Sequence, residues 1–211
     1  MMIWALVPAK PLDKGKSRLR EFFSSDDLAA INKTLLTHCL DTLAECPYVT
    51  GTLVVSRDPH VLEIAAEHGA ESLLEAAPYS LIHAVTQGIE QLASRNQPII
   101  VVPTDLPAMT ARDLEGWLSK VPKDGVSIIP DMHQTGTNAI YMSQAGMLKP
   151  RFGTNSFQKH CLQAWKKDLE LLIYLNKSIQ HDLDTAADLT LLETLSASSP
   201  NYLQQERIFT S

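Results

Sequence analysis

Glycine and cysteine are both scarce: the 211-residue chain holds nine glycines and three cysteines. The first shortage disfavours a Walker-type phosphate loop. Gly15-Lys16-Ser17 resembles the end of that motif, but the residue five before Gly15 is Lys10, where the motif needs glycine. Cys39, Cys46 and Cys161 form no C-x-x-C pair and leave an odd thiol, which excludes a disulfide framework and fits a reducing compartment. No apolar run approaches the length of a membrane span, so no membrane partner is expected. The opening apolar stretch is too short for a secretory signal, has no basic segment before it and runs into Pro8 and Lys10; a cytoplasmic protein is expected. The seven histidines lack H-E-x-x-H or similar spacing, which argues against zinc. With 18 Lys and Arg against 24 Asp and Glu, there is no broad basic face for nucleic acid.

What the chain does have is positive charge in one place. Lys10, Lys14, Lys16, Arg18 and Arg20 follow Met2–Val7, an apolar run of the kind that a strand covered on both faces of a parallel sheet shows. Pro8 is expected to stop that strand and Gly15 to let the following loop approach a ligand closely. Cations at the carboxyl end of a first strand are where an open α/β sheet binds a polyanion. The expectation is a triphosphate site, with an ordinary solvated loop as the bland alternative.

Further along, strands and helices alternate. Strands are expected at 52–56, 71–75, 98–102, 126–129, 138–142 and 171–175. A helix from Ser24–Asp27 carries Leu28, Ile31, Leu35, Cys39 and Leu43 on one stripe, and a second opens at Asp58-Pro59 and runs to Gly69. A third spans Tyr79–Ala93 with Leu81, Val85, Ile89 and Leu92 inward, and a fourth is capped by Thr110 with Asp113. A fifth spans Ser156–Asp168 with Phe157, Cys161 and Trp165 inward, and HDLDTAADL leads into a last one. The pattern predicts one α/β domain, residues 1–195, with a mainly parallel sheet of about seven strands flanked by helices, and a polar tail at 196–211.

Two acidic positions fall at strand ends. Asp105, between Pro103 and Pro107, and Asp184, beside Asp182, are placed to hold Mg²⁺ against phosphate oxygens; either could instead cap a turn or helix. The loops Gly136-Thr137-Asn138 and Phe152–Phe157 offer hydroxyls and amides, the second at a helix start where anions bind; both also read as ordinary turns.

Six segments then resemble, in order, the guanylyltransferases of coenzyme F420 biosynthesis, within the nucleotide-diphosphate-sugar-transferase-like folds. They are VPAKPLDKGKSRL at 7–19, VVSRDPHVLEIAAEHGA at 54–70, VVPTDLPAMTARDL at 101–114, GTNAIYM at 136–142, FGTNSFQKH at 152–160 and DLDTAADL at 182–189. The resemblance implies transfer of GMP from GTP to the phosphate of 2-phospho-L-lactate, phosphoenolpyruvate or 3-phospho-D-glycerate, with release of pyrophosphate. It implies that Pro8, Lys10, Lys16, Ser17, Arg18 and Pro103 bind the nucleotide, with Lys16, Arg18 and Asp105 catalytic. Asp105 and Asp184 would hold Mg²⁺, and Thr137, Gly153 and Ser156 would cradle the acceptor. It leaves a homodimer open. The chain departs from the family's G-L-N motif at Ser80-Leu81-Ile82, which removes groups expected near the nucleotide. The alternatives are a molybdenum-cofactor-type nucleotidyltransferase, disfavoured by the single glycine in Ala9–Leu19, and a degenerate member that binds nucleotide without turnover.

Overall fold

Alternation of apolar side chains decides the layering. In β1 (Ile3–Pro8), Ile3, Ala5 and Val7 point to one side of the sheet while Trp4 and Leu6 point to the other, and all five are buried. A strand with two apolar faces needs helices on both sides, and the computed structural model, which describes residues 2–16, 19, 21–183 and 188, supplies them.

The elements follow in the order α1 (Ser25–Glu45), β2 (Val49–Ser56), α2 (Pro59–Glu67), β3 (Glu71–Leu74), α3 (Leu81–Ala93) and β4 (Ile99–Val101). Then come α4 (Ala111–Leu118), β5 (Gly125–Pro130), β6 (Thr137–Met142), α5 (Ser156–Lys166), β7 (Glu170–Ile173) and α6 (Lys177–Gln180). They build one seven-stranded sheet in the order β3-β2-β1-β4-β6-β5-β7. β1 to β4 run parallel, β6 opposes both β4 and β5, and β7 is parallel to β5. The sheet is therefore mainly parallel, as expected. α1, α2, α4 and α6 cover the Ile3 face, and α3 and α5 cover the Trp4 face.

The strand order reverses between β1 and β4, so the carboxyl ends of those two strands open a crevice, the place where such sheets bind ligands. Helix α3 lies close beneath it. At Gly88 an added Cβ would stand 2.2 Å from a methyl of Leu6, so only glycine lets α3 seat on β1.

Local capping explains most boundaries. Ser24 and Asp27 form a reciprocal capping box on α1, and Thr110 and Asp113 do the same on α4. Asp58 caps α2 with Pro59 in its first turn.

Several expectations are corrected. Pro8 is the last residue of β1 and not its stop; a terminal strand position loses no needed donor. α3 begins after Ser80, whose hydroxyl accepts the His83 N–H, and Leu81 is 42 % exposed because the first turn overhangs the crevice. α5 ends at Lys166 and turns Ser156, His160 and Ala164 inward, leaving Trp165 75 % exposed. The sequence pattern had favoured the large aromatic over the small and polar residues that face the sheet. The short α6, capped by Asn176, was not anticipated. The expected last helix beginning near Asp184 and the tail at 196–211 lie outside the described residues.

Candidate active site

The crevice is a cavity of about 270 Å³, walled by the loop after β1, by Arg57 after β2, by Glu75 and Ser80 before α3, and by Pro103 to Asp105 after β4. It brings together Pro8, Lys10, Lys16, Pro103 and Asp105 from the residues expected to serve a nucleotide. Ser17, Arg18 and Asp184 lie outside the described residues.

The basic loop is held by groups that sequence patterns did not single out. Asp58 caps α2 with Oδ1 and accepts the Leu12 N–H on Oδ2 at 3.0 Å; Asn32 of α1 donates to the Leu12 carbonyl at 2.8 Å. An N-cap carboxylate has a second oxygen to spare, which is the signal that could have found Asp58. Beyond Lys14 the chain turns through two left-handed residues, Gly15 at φ 118° and Lys16 at φ 47°. The second is costly for lysine, and such strain is kept where a side chain must be aimed.

Lys16 is aimed at Asp105. Its Nζ donates to Asp105 Oδ2 at 3.0 Å, with the lysine side chain 5 % and the carboxylate 31 % exposed. The ammonium also donates to the Leu183 carbonyl. The Leu183 N–H in turn donates to the Asp105 carbonyl at 2.9 Å, so residues 181–183 strap the two charges together. Below the Asp105 loop, Cys39 donates to the Pro103 carbonyl at 3.7 Å. Burial, then the Asp105 charge, push the Cys39 thiol up to about 12, so it is no nucleophile.

Thr137, Gly153 and Ser156 do not line this cavity. The antiparallel register, Val101 opposite Ile140, nevertheless carries Thr137 to the sheet edge where Asp105 stands. Of the three, Thr137 is tied to the start of α5 by His160, which the sequence pattern does not mark. Fully buried, it accepts the Arg151 N–H on Nε2 at 2.9 Å and meets Thr137 Oγ1 with Nδ1 at 3.0 Å. Burial first, then the Arg151 and Lys159 charges, lower its pKa to about 4. A neutral ring with Nε2 accepting must carry its proton on Nδ1, so it donates to Thr137 and leaves that hydroxyl's own proton for another acceptor.

The amides expected to be free at the start of α5 are partly used. Ser156 N–H donates to the Gly153 carbonyl and Phe157 N–H to the Thr135 carbonyl. Asn155 takes the N-cap position in the left-handed region without a side-chain hydrogen bond. Arg151, exposed and near enough for its charge to act on His160, adds a cation that the sequence reading did not name.

Among the described residues no three acidic, histidine or cysteine side chains gather as a ready metal cage. Asp105 still fits a hard cation: a half-open carboxylate facing a cavity suits an ion that keeps most of its waters and needs one or two carboxylates. No helix among the described residues is long and apolar enough to cross a membrane.

A phosphoenolpyruvate guanylyltransferase of Sphaerobacter thermophilus is 33 % identical, covering 93 % of each chain. A 2-phospho-L-lactate guanylyltransferase of a Methanocaldococcus species is 29 % identical over 94 % of this chain and 86 % of its own. In fold, a nucleotidyl transferase from Methanothermobacter superposes with a TM-score of 0.68 at 14 % identity, covering 94 % of this chain and 99 % of the other. Residues 3–210 match the family described as guanylyl transferase CofC like, and the chain belongs to that family.

Proposed function

We propose that the protein transfers GMP from GTP to the phosphate of a small phosphorylated three-carbon acid and releases pyrophosphate, as a cytoplasmic step of coenzyme F420 biosynthesis. The observation that carries the proposal is the Lys16–Asp105 pair at the switch point of the sheet, in a chain of this family. In the reaction an oxygen of the acceptor phosphate attacks the α-phosphorus of GTP, and the bond from that phosphorus to the β-bridging oxygen breaks. No covalent enzyme intermediate is needed. Catalysis is positioning and charge neutralisation, which needs no activated serine or cysteine.

In this reading Lys16, with Lys10 and Arg18, neutralises the nucleotide phosphates, Ser17 helps to bind them, and Pro8 and Pro103 hold the walls between which they lie. The strained Lys16 already points its ammonium at the one carboxylate of the loop after β4. Asp105 and Asp184 would hold Mg²⁺, which supplies charge stabilisation of the leaving pyrophosphate. Thr137, Gly153 and Ser156 would bind the acceptor's phosphate or carboxylate, with the Thr137 proton turned outward by His160.

Pyrophosphate release is the test, with GTP, ATP and CTP each crossed against 2-phospho-L-lactate, phosphoenolpyruvate and 3-phospho-D-glycerate in the presence of Mg²⁺. Release with GTP and one acid is expected. Silence in every combination from folded protein overturns the proposal in favour of a nucleotide-binding protein without turnover.

A further inference from the structure

Lys16, Asp105 and their neighbours meet phosphate, and none of them can tell one base from another. The far end of the same cavity holds a group that can. Glu75 follows β3 directly, and its N–H continues the sheet by donating to the Ser56 carbonyl at 2.9 Å. The residue is 9 % exposed, deep for a carboxylate, which is almost never so buried unless paired. Its Oε1 accepts the Ser80 N–H at 3.2 Å. Among the described residues no cation pairs with it and no other donor meets its side chain, and it lines the cavity. No buried side-chain oxygen among the described residues lacks a partner, so Oε2, which meets no donor, keeps access to open space beside a residue that lines the cavity.

We infer that Glu75 is the residue that selects guanine, its Oε2 accepting the N1–H and a 2-amino N–H of the base. The inference rests on the reading of GTP as donor. Of the four common bases only guanine puts two adjacent donors on that edge; adenine at N1 and cytosine at N3 place a lone pair there, which a carboxylate repels. The distances agree. Glu75 after β3 and Asp105 after β4 are separated by three strand spacings, about 14 Å, which leaves room for a nucleoside between the base reader and the phosphate site. Ser80 fixes the reader twice, through its N–H to Glu75 and through its hydroxyl, which accepts the His83 N–H at 3.1 Å and starts α3. The backbone of Ser80 therefore orients Glu75 whatever side chains stand at 80–82, and Ile82, 42 % exposed, does not line the cavity.

Glu75→Gln tests the assignment with an isosteric side chain. The Ser80 N–H holds the amide oxygen toward itself, which turns the amide NH₂ toward the base, where guanine's donors oppose it and adenine's N1 accepts it. Steady-state turnover with GTP, ITP and ATP should show kcat/KM for GTP falling roughly 10–100-fold, the loss of a charge-assisted hydrogen bond, with ATP unchanged or improved. ITP, which lacks the 2-amino group, should lie between GTP and ATP in the wild type and equal GTP in the variant. An equal fall with all three nucleotides overturns the inference. Should the variant not fold, binding of N1-methyl-GTP to the wild type decides the matter: affinity equal to that of GTP overturns it, and a loss of tenfold or more sustains it. Wild-type protein that binds CTP or ATP better than GTP refutes the donor reading, and this inference with it. Retained GTP preference in Glu75→Gln refutes this inference alone.

Discussion

The two halves of the proposed site, one for the nucleotide donor and one for the acceptor acid, are built in opposite ways. On the donor side, charged residues come from loops at the ends of parallel strands and face an open cavity of about 270 Å³. On the acceptor side, an antiparallel strand and a helix are drawn together by one buried, uncharged imidazole. The donor side holds its charge in reserve, each ammonium or carboxylate ready to change partner when a polyanion arrives. The acceptor side holds one hydroxyl in one orientation. A phosphate chain needs neutralising and is flexible; a three-carbon acid is small, and it must be placed with an oxygen in line with the α-phosphorus.

The largest expected effect lies on the donor side. Asp105→Ala should lower turnover roughly 10²–10³-fold or more, the usual loss when a group that stabilises transition-state charge is removed. Its fold should survive, because the carboxylate is 31 % exposed and its backbone, not its side chain, carries the strap to Leu183. Near-normal pyrophosphate release by this variant would remove Asp105 from the chemistry.

Acid should separate the halves next. The folded His160 titrates at about 4 against 6.5 unfolded. Between those values the unfolded chain binds more protons, so stability is complete above pH 6.5 and is lost as pH falls toward 4. The full shift corresponds to about 3 kcal/mol. His38, also lowered by burial, adds to the loss in the same direction. His160→Gln, neutral at every pH, should flatten the slope of unfolding free energy between pH 4 and 6.5. An unchanged slope would mean that His160 is not the titrating group.

Lys16→Ala should cost roughly 10–100-fold in kcat/KM for GTP, in line with the loss of charge-assisted hydrogen bonds. The KM of the acceptor should stay where it was. If instead both substrates weaken equally, the cavity is not a dedicated nucleotide site.

How much of this was legible in sequence follows the same division. The basic loop after β1 and Asp105 after β4 could be read because strand ends announce themselves through apolar runs broken by proline, and because charge clustered against a net of −6 stands out. The stripe of Leu28, Ile31, Leu35, Cys39 and Leu43 on α1 is buried as its spacing predicts, and the caps at Ser24, Asp58 and Thr110 fall where expected. His160 could not be read. A lone histidine in a helix carries no spacing signal, and its meaning depends on Thr137, 23 residues away in sequence. Trp165 misled for a related reason: hydrophobicity argued it inward, while the sheet accepted Ala164 and His160. Glu75 reads in sequence as the last residue of the strand at 71–75, and nothing in its neighbours signals that Ser80 holds its carboxylate.

The smallest expected effect is also the sharpest test of the division. His160 donates to Thr137 Oγ1, which leaves the threonine proton as the one the site offers to an incoming anion. Thr137→Ser keeps that hydroxyl and should leave kinetics close to wild type. Thr137→Val keeps the shape but removes it, and should raise the KM for the acceptor acid about tenfold, one hydrogen bond to a charged group. The KM for GTP should be unmoved, the mirror image of Lys16→Ala. A Thr137→Val protein with a normal acceptor KM would show that the hydroxyl faces no substrate, and that His160 serves only to pack α5 against β6.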